Sequence, residues 1–225
     1  MRNLLKSLPL GAEFIVVVVG AFGISIVTSL WMAAHPPHTA LATEPGLWGL
    51  ILHEVIILAV LGLFLHVRGW TPQRLGLTSH WSDVPWSVVL IGGVYAVFYA
   101  AWYALALMSV PLLHTASGQA PFLSSGVSAA TIIAMVVVNP FFEEVFVAGY
   151  VIAALKDVRG TTFAINVSVA IRLLYHLYQG STAVLAIIPM GLIFGYWFAR
   201  KGRLWPLIGA HAIMDVVGLL FYLRH

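Results

Sequence analysis

Apolar residues run along this chain in long blocks, with polar residues gathered between them. Seven blocks stand out, at about 12–34, 48–66, 84–113, 126–155, 161–178, 181–199 and 205–223. Each is close to the ~20 residues that a helix needs to cross a bilayer. The third and fourth are longer, which predicts tilt, a kink or an end standing beyond the hydrocarbon. No stretch alternates with a period of two, so a β-barrel is not expected. The pattern predicts an all-α, polytopic transmembrane helix bundle. It forms a single integral membrane domain over 1–225, with three spans in 1–125 and four in 126–223.

Composition sharpens this reading. Of the 225 residues 61% are hydrophobic and only 8% are charged, against about 25% charged in a soluble domain. With no cysteine, disulfides, thiolate metal ligands and a cysteine nucleophile are excluded. The net charge of +3 sits in short loops, where it sets topology rather than recruiting nucleic acid. The partner this composition implies is the lipid bilayer.

Arg2 and Lys6 precede the first block, Arg68 and Arg74 follow the second, Lys156 and Arg159 the fourth, and Arg200, Lys201 and Arg203 the sixth. The alternate loops, 35–47, 114–125 and 179–181, carry no Lys or Arg, and only Arg224 falls on their side. The positive-inside rule then predicts a cytoplasmic N-terminus and an external C-terminus. A multi-pass protein of a bacterial cytoplasmic membrane is the expected setting. The N-terminus and Ala40-Leu41-Ala42 resemble a signal peptide and its cleavage site, but the first apolar run exceeds a signal h-region, so a retained span is expected. The loop 66–77, with Trp70 between arginines, reads as an interfacial anchor.

Against this background the polar residues inside the blocks carry the information. Glu143 and Glu144 lie side by side in the fourth block. A charge near the bilayer centre costs at least ~2.5 kcal/mol, which makes such residues functional candidates. Adjacent residues diverge by about 100° around a helix, so the two face different neighbours. Pro140 removes a helical hydrogen bond one turn earlier, which predicts a kink or opening there. Asn139 precedes it. Arg172 and His176 are four apart on one face of the fifth block, and His211 and Asp215 on one face of the seventh. Glu54, in the second block, is expected to pair with a basic group or line the same cavity rather than act directly. Taken singly, each group reads as an interhelical contact. Together, in a chain with eight acids, they exceed what packing requires.

A glutamate and a histidine beside a water suit general-base hydrolysis, and a second histidine can stabilise an oxyanion. Alternatively Glu143, His176 and His211 could hold a divalent metal such as zinc with an open water position. A cofactor-free site fits the residues equally. A proton-coupled transporter is a third reading, opposed by the lack of an internal repeat with paired broken helices.

The residues then resemble the CAAX-protease and bacteriocin-processing family of intramembrane proteases (CPBP, also Abi). Its pattern is EExxxR, FxxxH and Hxxx followed by Asn or Asp. Here these read Glu143-Glu144-Val145-Phe146-Val147-Ala148, then Arg172-Leu173-Leu174-Tyr175-His176, then His211-Ala212-Ile213-Met214-Asp215. The resemblance covers about 126–223, which makes these spans a CPBP-like core. It implies an intramembrane endopeptidase that cuts a peptide or membrane-protein substrate near the cytoplasmic face. Glu143 and His176 would activate water, with Glu144 beside them, and His211 and Asp215 would assist the oxyanion. Two positions depart from the pattern: Ala148 stands for arginine and Arg172 for phenylalanine. One departure is expected to compensate the other, with Arg172 reaching Glu144 across the helix hairpin. The alternative is a catalytically inactive member with a binding or bacteriocin-immunity role.

Overall fold

The computed structural model describes residues 7–35, 42–108 and 126–223, without the side chains of 181–183 and 220–223. Arg2, Lys6, Ala40, Leu41, the end of the third block beyond 108, the loop 114–125 and Arg224 therefore lie outside the described residues. Among the described residues there are seven helical rods, one for each predicted block: α1 (Leu10–Ala34), α2 (Glu44–Val67), α3 (Asp83–Leu107), α4 (Ala129–Arg159), α5 (Thr161–His176), α6 (Gly180–Lys201) and α7 (Trp205–Leu223). Among the described residues five segments, Leu10–Ala34, Glu44–Val67, Asp83–Leu107, Ala129–Arg159 and Val184–Lys201, are long and apolar enough to cross a membrane. The protein is a multi-pass membrane protein. α5, with 16 residues, is shorter than a simple span needs.

α4 is the centre of the bundle. Its first half packs against α2 and α7, and its last turns against α5; α5 also packs on α6 and α1, while α3 covers α6 and α7. Pro140 lies inside a helix that continues regularly to Glu143. The opening expected at Pro140 is displaced: Glu144–Tyr150 forms a π-helix, and all seven of its residues are buried. Such segments widen the helix locally and are frequent at functional sites. The outer faces of α1–α3 expose Ile15, Val19, Ile24, Leu52, Val60 and Val88, as lipid contact requires.

Local chemistry fixes the register of α2 against α4. Ser128 caps α4 by accepting the Thr131 N–H. The Glu44 carboxylate, in the first turn of α2, accepts from the Ser128 N–H and hydroxyl at 2.9 Å each and from the Thr131 hydroxyl at 2.5 Å. The two helices therefore start level and run side by side.

The loop 68–82 is not a lipid-anchored strap. Trp70 is 3% exposed and its indole N–H donates to Glu13 at 2.9 Å. Arg68 pairs with the same carboxylate at 2.5 Å, and the Tyr150 hydroxyl donates to it at 3.2 Å. Glu13, in the first turn of α1, thus collects three donors and ties α1, the loop and the end of the π segment together. Further along, the loop is wedged against the α6–α7 turn. Gly76 has φ +80, and a Cβ there would lie 2.6 Å from Phe198 and 2.8 Å from the Gly202 carbonyl oxygen. Leu204 N–H donates to Gly76 O at 2.8 Å, the Trp205 indole donates to Leu77 O at 3.0 Å, and Arg203 pairs with Asp83.

This wedge sets depth. A Cβ on Gly149 would meet the Leu75 carbonyl oxygen at 3.0 Å and Leu204 at 3.3 Å. The rings of Trp205 and Phe141 are 6.1 Å apart. α7 therefore begins level with the middle of α4. Arg159, ten residues after Gly149, stands about 15 Å further along the α4 axis. That offset explains how His211, near the start of α7, reaches glutamates that lie far from the end of α4.

Candidate active site

Glu143 is the last residue of the regular part of α4 and Glu144 the first of its π segment. They are 5% and 0% exposed. As their angular separation predicts, they take different partners, but one guanidinium touches both. Arg172, 1% exposed, places Nη2 at 2.8 and 2.9 Å from the two oxygens of Glu144 and Nη1 at 3.5 Å from Glu143 Oε2. The contact expected of Arg172 is thus present: α5 brings a guanidinium to Glu144. Ala148 itself is 1% exposed and contributes only packing.

Glu144 is held a second time by His211, whose Nδ1 lies 2.8 Å from Oε1. Its Nε2 is 3.7 Å from Asp215 Oδ1, too long for a hydrogen bond. Asp215 is the more accessible partner, with 32% of its side chain exposed. The expected His211–Asp215 face exists, but its inner member is turned to Glu144.

Glu143 is the freer carboxylate. Oε2 accepts from the Tyr175 hydroxyl at 2.7 Å and lies 3.6 Å from His176 Nε2. That gap exceeds a direct hydrogen bond, and a small shift of the imidazole or an intervening water closes it. His176 Nδ1 is buried without a partner. On its other side Glu143 Oε1 accepts from Asn139 Nδ2 at 3.3 Å, and the same nitrogen donates to Glu54 at 2.7 Å.

One of these residues, Tyr175, escaped the sequence reading, and Glu54, expected to pair with a basic group or line the same cavity, bonds the Asn139 amide. Tyr175 sits at helical spacing from Arg172, and that i, i+3 relation was the available signal. Its ring stacks on Phe22 of α1, centroids 4.9 Å apart, so an N-terminal helix helps to fix it. Glu54 carried no motif, yet it is 3% exposed and is joined to the site through Asn139. Glu143, His176 and His211 do not form a metal-ligand set. Among the described residues no three His, Asp or Glu side chains are arranged to hold an ion. The Arg172 guanidinium already supplies the positive charge between the carboxylates, and His211 is committed to Glu144.

In chemical terms this is a buried pair of carboxylates with divided duties. One is locked by arginine and histidine; the other is held by weaker donors with a histidine within reach. Residues 125–217, from just before α4 into α7, match the family described as Type II CAAX prenyl endopeptidase Rce1-like. The match bears out the family resemblance carried by the three motifs, and it excludes α1–α3. No curated protein and no solved structure matches the chain.

Proposed function

We propose that this protein, Rce1-like in its last four helices, is an intramembrane endopeptidase that hydrolyses a peptide bond with water activated by Glu143 and His176. The observation that carries the reading is the division of labour between the glutamates. Arg172 and His211 saturate Glu144, while Glu143 keeps an imidazole 3.6 Å from the oxygen that would take the proton. In this scheme Glu143 accepts a proton from water as the oxygen attacks the carbonyl carbon. His176 relays that proton from Glu143 to the leaving amine nitrogen as the C–N bond breaks. His211, flanked by Glu144 and Asp215, acts as an imidazolium and donates from Nε2 to the developing oxyanion. Glu144, bonded to Nδ1 at 2.8 Å, orients that ring, and Asp215 stands beside Nε2 beyond hydrogen-bond distance. An ionised Asp only accepts hydrogen bonds, so it holds no oxyanion itself.

One observation favours a catalytically inactive, binding role instead: the Tyr175 hydroxyl occupies Glu143 Oε2. The test is incubation of the purified protein in lipid with a library of membrane-embedded peptides, read by mass spectrometry of the products. New termini are expected, and intact peptides throughout would leave the binding role. Chelation of a metal-analysed sample is expected to leave turnover unchanged. Loss on chelation with recovery on adding zinc would overturn the glutamate–water scheme.

The cut is expected near the cytoplasmic face of a bacterial cytoplasmic membrane, with the N-terminus inside and the C-terminus outside. Reporter fusions in the loop 156–160 and after residue 225 are expected on opposite sides of the membrane. Both on one side would remove a crossing from α5–α7, where the short α5 is the first suspect.

A further inference from the structure

We infer that Glu54, on α2 and outside the segment that matches the family, is a positioning residue for Glu143, acting through Asn139; this rests on the hydrolytic reading above. The placement begins with register. Glu44 ties the starts of α2 and α4 together. Glu54 is ten residues into α2 and Asn139 ten residues into α4, so both lie about 15 Å along their helices. The two side chains meet at 2.7 Å between Nδ2 and Oε1.

The consequence falls on Asn139. Its one nitrogen carries two N–H groups, and both are spent on carboxylates, Glu54 at 2.7 Å and Glu143 at 3.3 Å. The shorter bond holds the amide plane, and the second N–H then points at Glu143 Oε1. Without Glu54 the amide is free to rotate, and Glu143 loses its only contact on that oxygen among the described residues. Tyr175 and Arg172 both hold Oε2, so Oε1 decides how the carboxylate turns about its own axis. A base must be aligned with its water, and small misplacements cost on the order of 10²-fold in rate.

The other Glu54 oxygen makes a clean test possible. Oε2 is buried with no hydrogen-bond partner. Glu54→Gln can keep Oε1 as the acceptor for Asn139 and change only the atom that bonds nothing, whereas Glu54→Ala removes the acceptor. The neighbouring ionisable groups are Glu143 on α4 and His211 and Asp215 on α7. A role through charge would therefore appear equally in the Gln variant.

The experiment uses the full-length protein in lipid and the best-cleaved peptide of the library. Glu54→Ala is expected to lower kcat on the order of 10²-fold with KM little changed, and Glu54→Gln to keep most of the activity. In an Asn139→Ala background, Glu54→Ala is expected to add nothing. Wild-type kcat in Glu54→Ala, equal losses in the Ala and Gln variants, or losses that multiply with Asn139→Ala would each overturn the inference. If Glu54→Ala fails to fold, Asn139→Ala breaks the same link from the other end, and wild-type kcat there also overturns it. If the wild-type protein cuts nothing, the hydrolytic reading fails by itself. The link is then read by infrared difference spectroscopy. The Glu143 carboxylate band, identified by its loss in Glu143→Gln, is expected to shift in Glu54→Ala and stay in place in Glu54→Gln. An unmoved band in both overturns the link.

Discussion

Arg172→Phe is expected to destabilise the protein by about 3–5 kcal/mol and to abolish turnover, because removing one member of a buried ion pair strands the other. Arg172 is among the largest fully buried side chains, and among the described residues only its guanidinium and the His211 imidazole pair with Glu144. Phenylalanine fills much of the space and satisfies none of the charge. The family pattern has an arginine four residues after the second glutamate and a phenylalanine at this position, so Ala148→Arg together with Arg172→Phe rebuilds it. The double variant is expected to recover much of the stability and part of the activity. Thermal unfolding in detergent reads the first, and peptide turnover the second. A double variant no better than Arg172→Phe would mean that the position of the cation, and not only its presence, is fixed in this chain.

Glu143→Gln is expected to reduce turnover by ~10²–10⁴-fold, the usual size of a lost general base, while leaving the fold intact. The amide keeps an oxygen that can accept from Tyr175, and the Arg172–Glu144 pair is untouched. The carboxamide cannot take a proton from water. His176→Ala is expected to be similarly severe, since its Nε2 lies 3.6 Å from Glu143 Oε2. Retained peptide binding with lost turnover supports the assignment. Unchanged turnover in both variants would move the chemistry elsewhere.

The seven rods were readable because burial in lipid demands long apolar blocks, and nothing else in the chain resembles them. The glutamates, histidines and Arg172 were readable for the complementary reason: each is out of place in such a block. The π segment was not, since Val145–Tyr150 is apolar in every direction and leaves no periodicity to break. Glu13 is an acid in the first turn of α1 and belongs to no motif. Its partners Arg68 and Trp70 are 55 and 57 residues away, and no local pattern encodes such a pairing. Trp70 was misread because a tryptophan between arginines has the composition of a membrane interface whether it faces lipid or protein. Tyr175 and Glu54 fall between these cases, with the right spacing or the right chemistry but no motif to join them to the others.

Hydrolysis consumes one water molecule in every turnover, and a lipid interior supplies none. The start of α7 at the level of Gly149 answers that demand. From Trp205 to His211 is six residues, about 9 Å of helix, so His211 lies only two turns from the start of α7. A site at the same place on α4 but reached along α4 itself would lie about 22 Å from the helix end at Arg159. Under the proposed hydrolysis, the start of α7 is then the shorter way for water to reach the site.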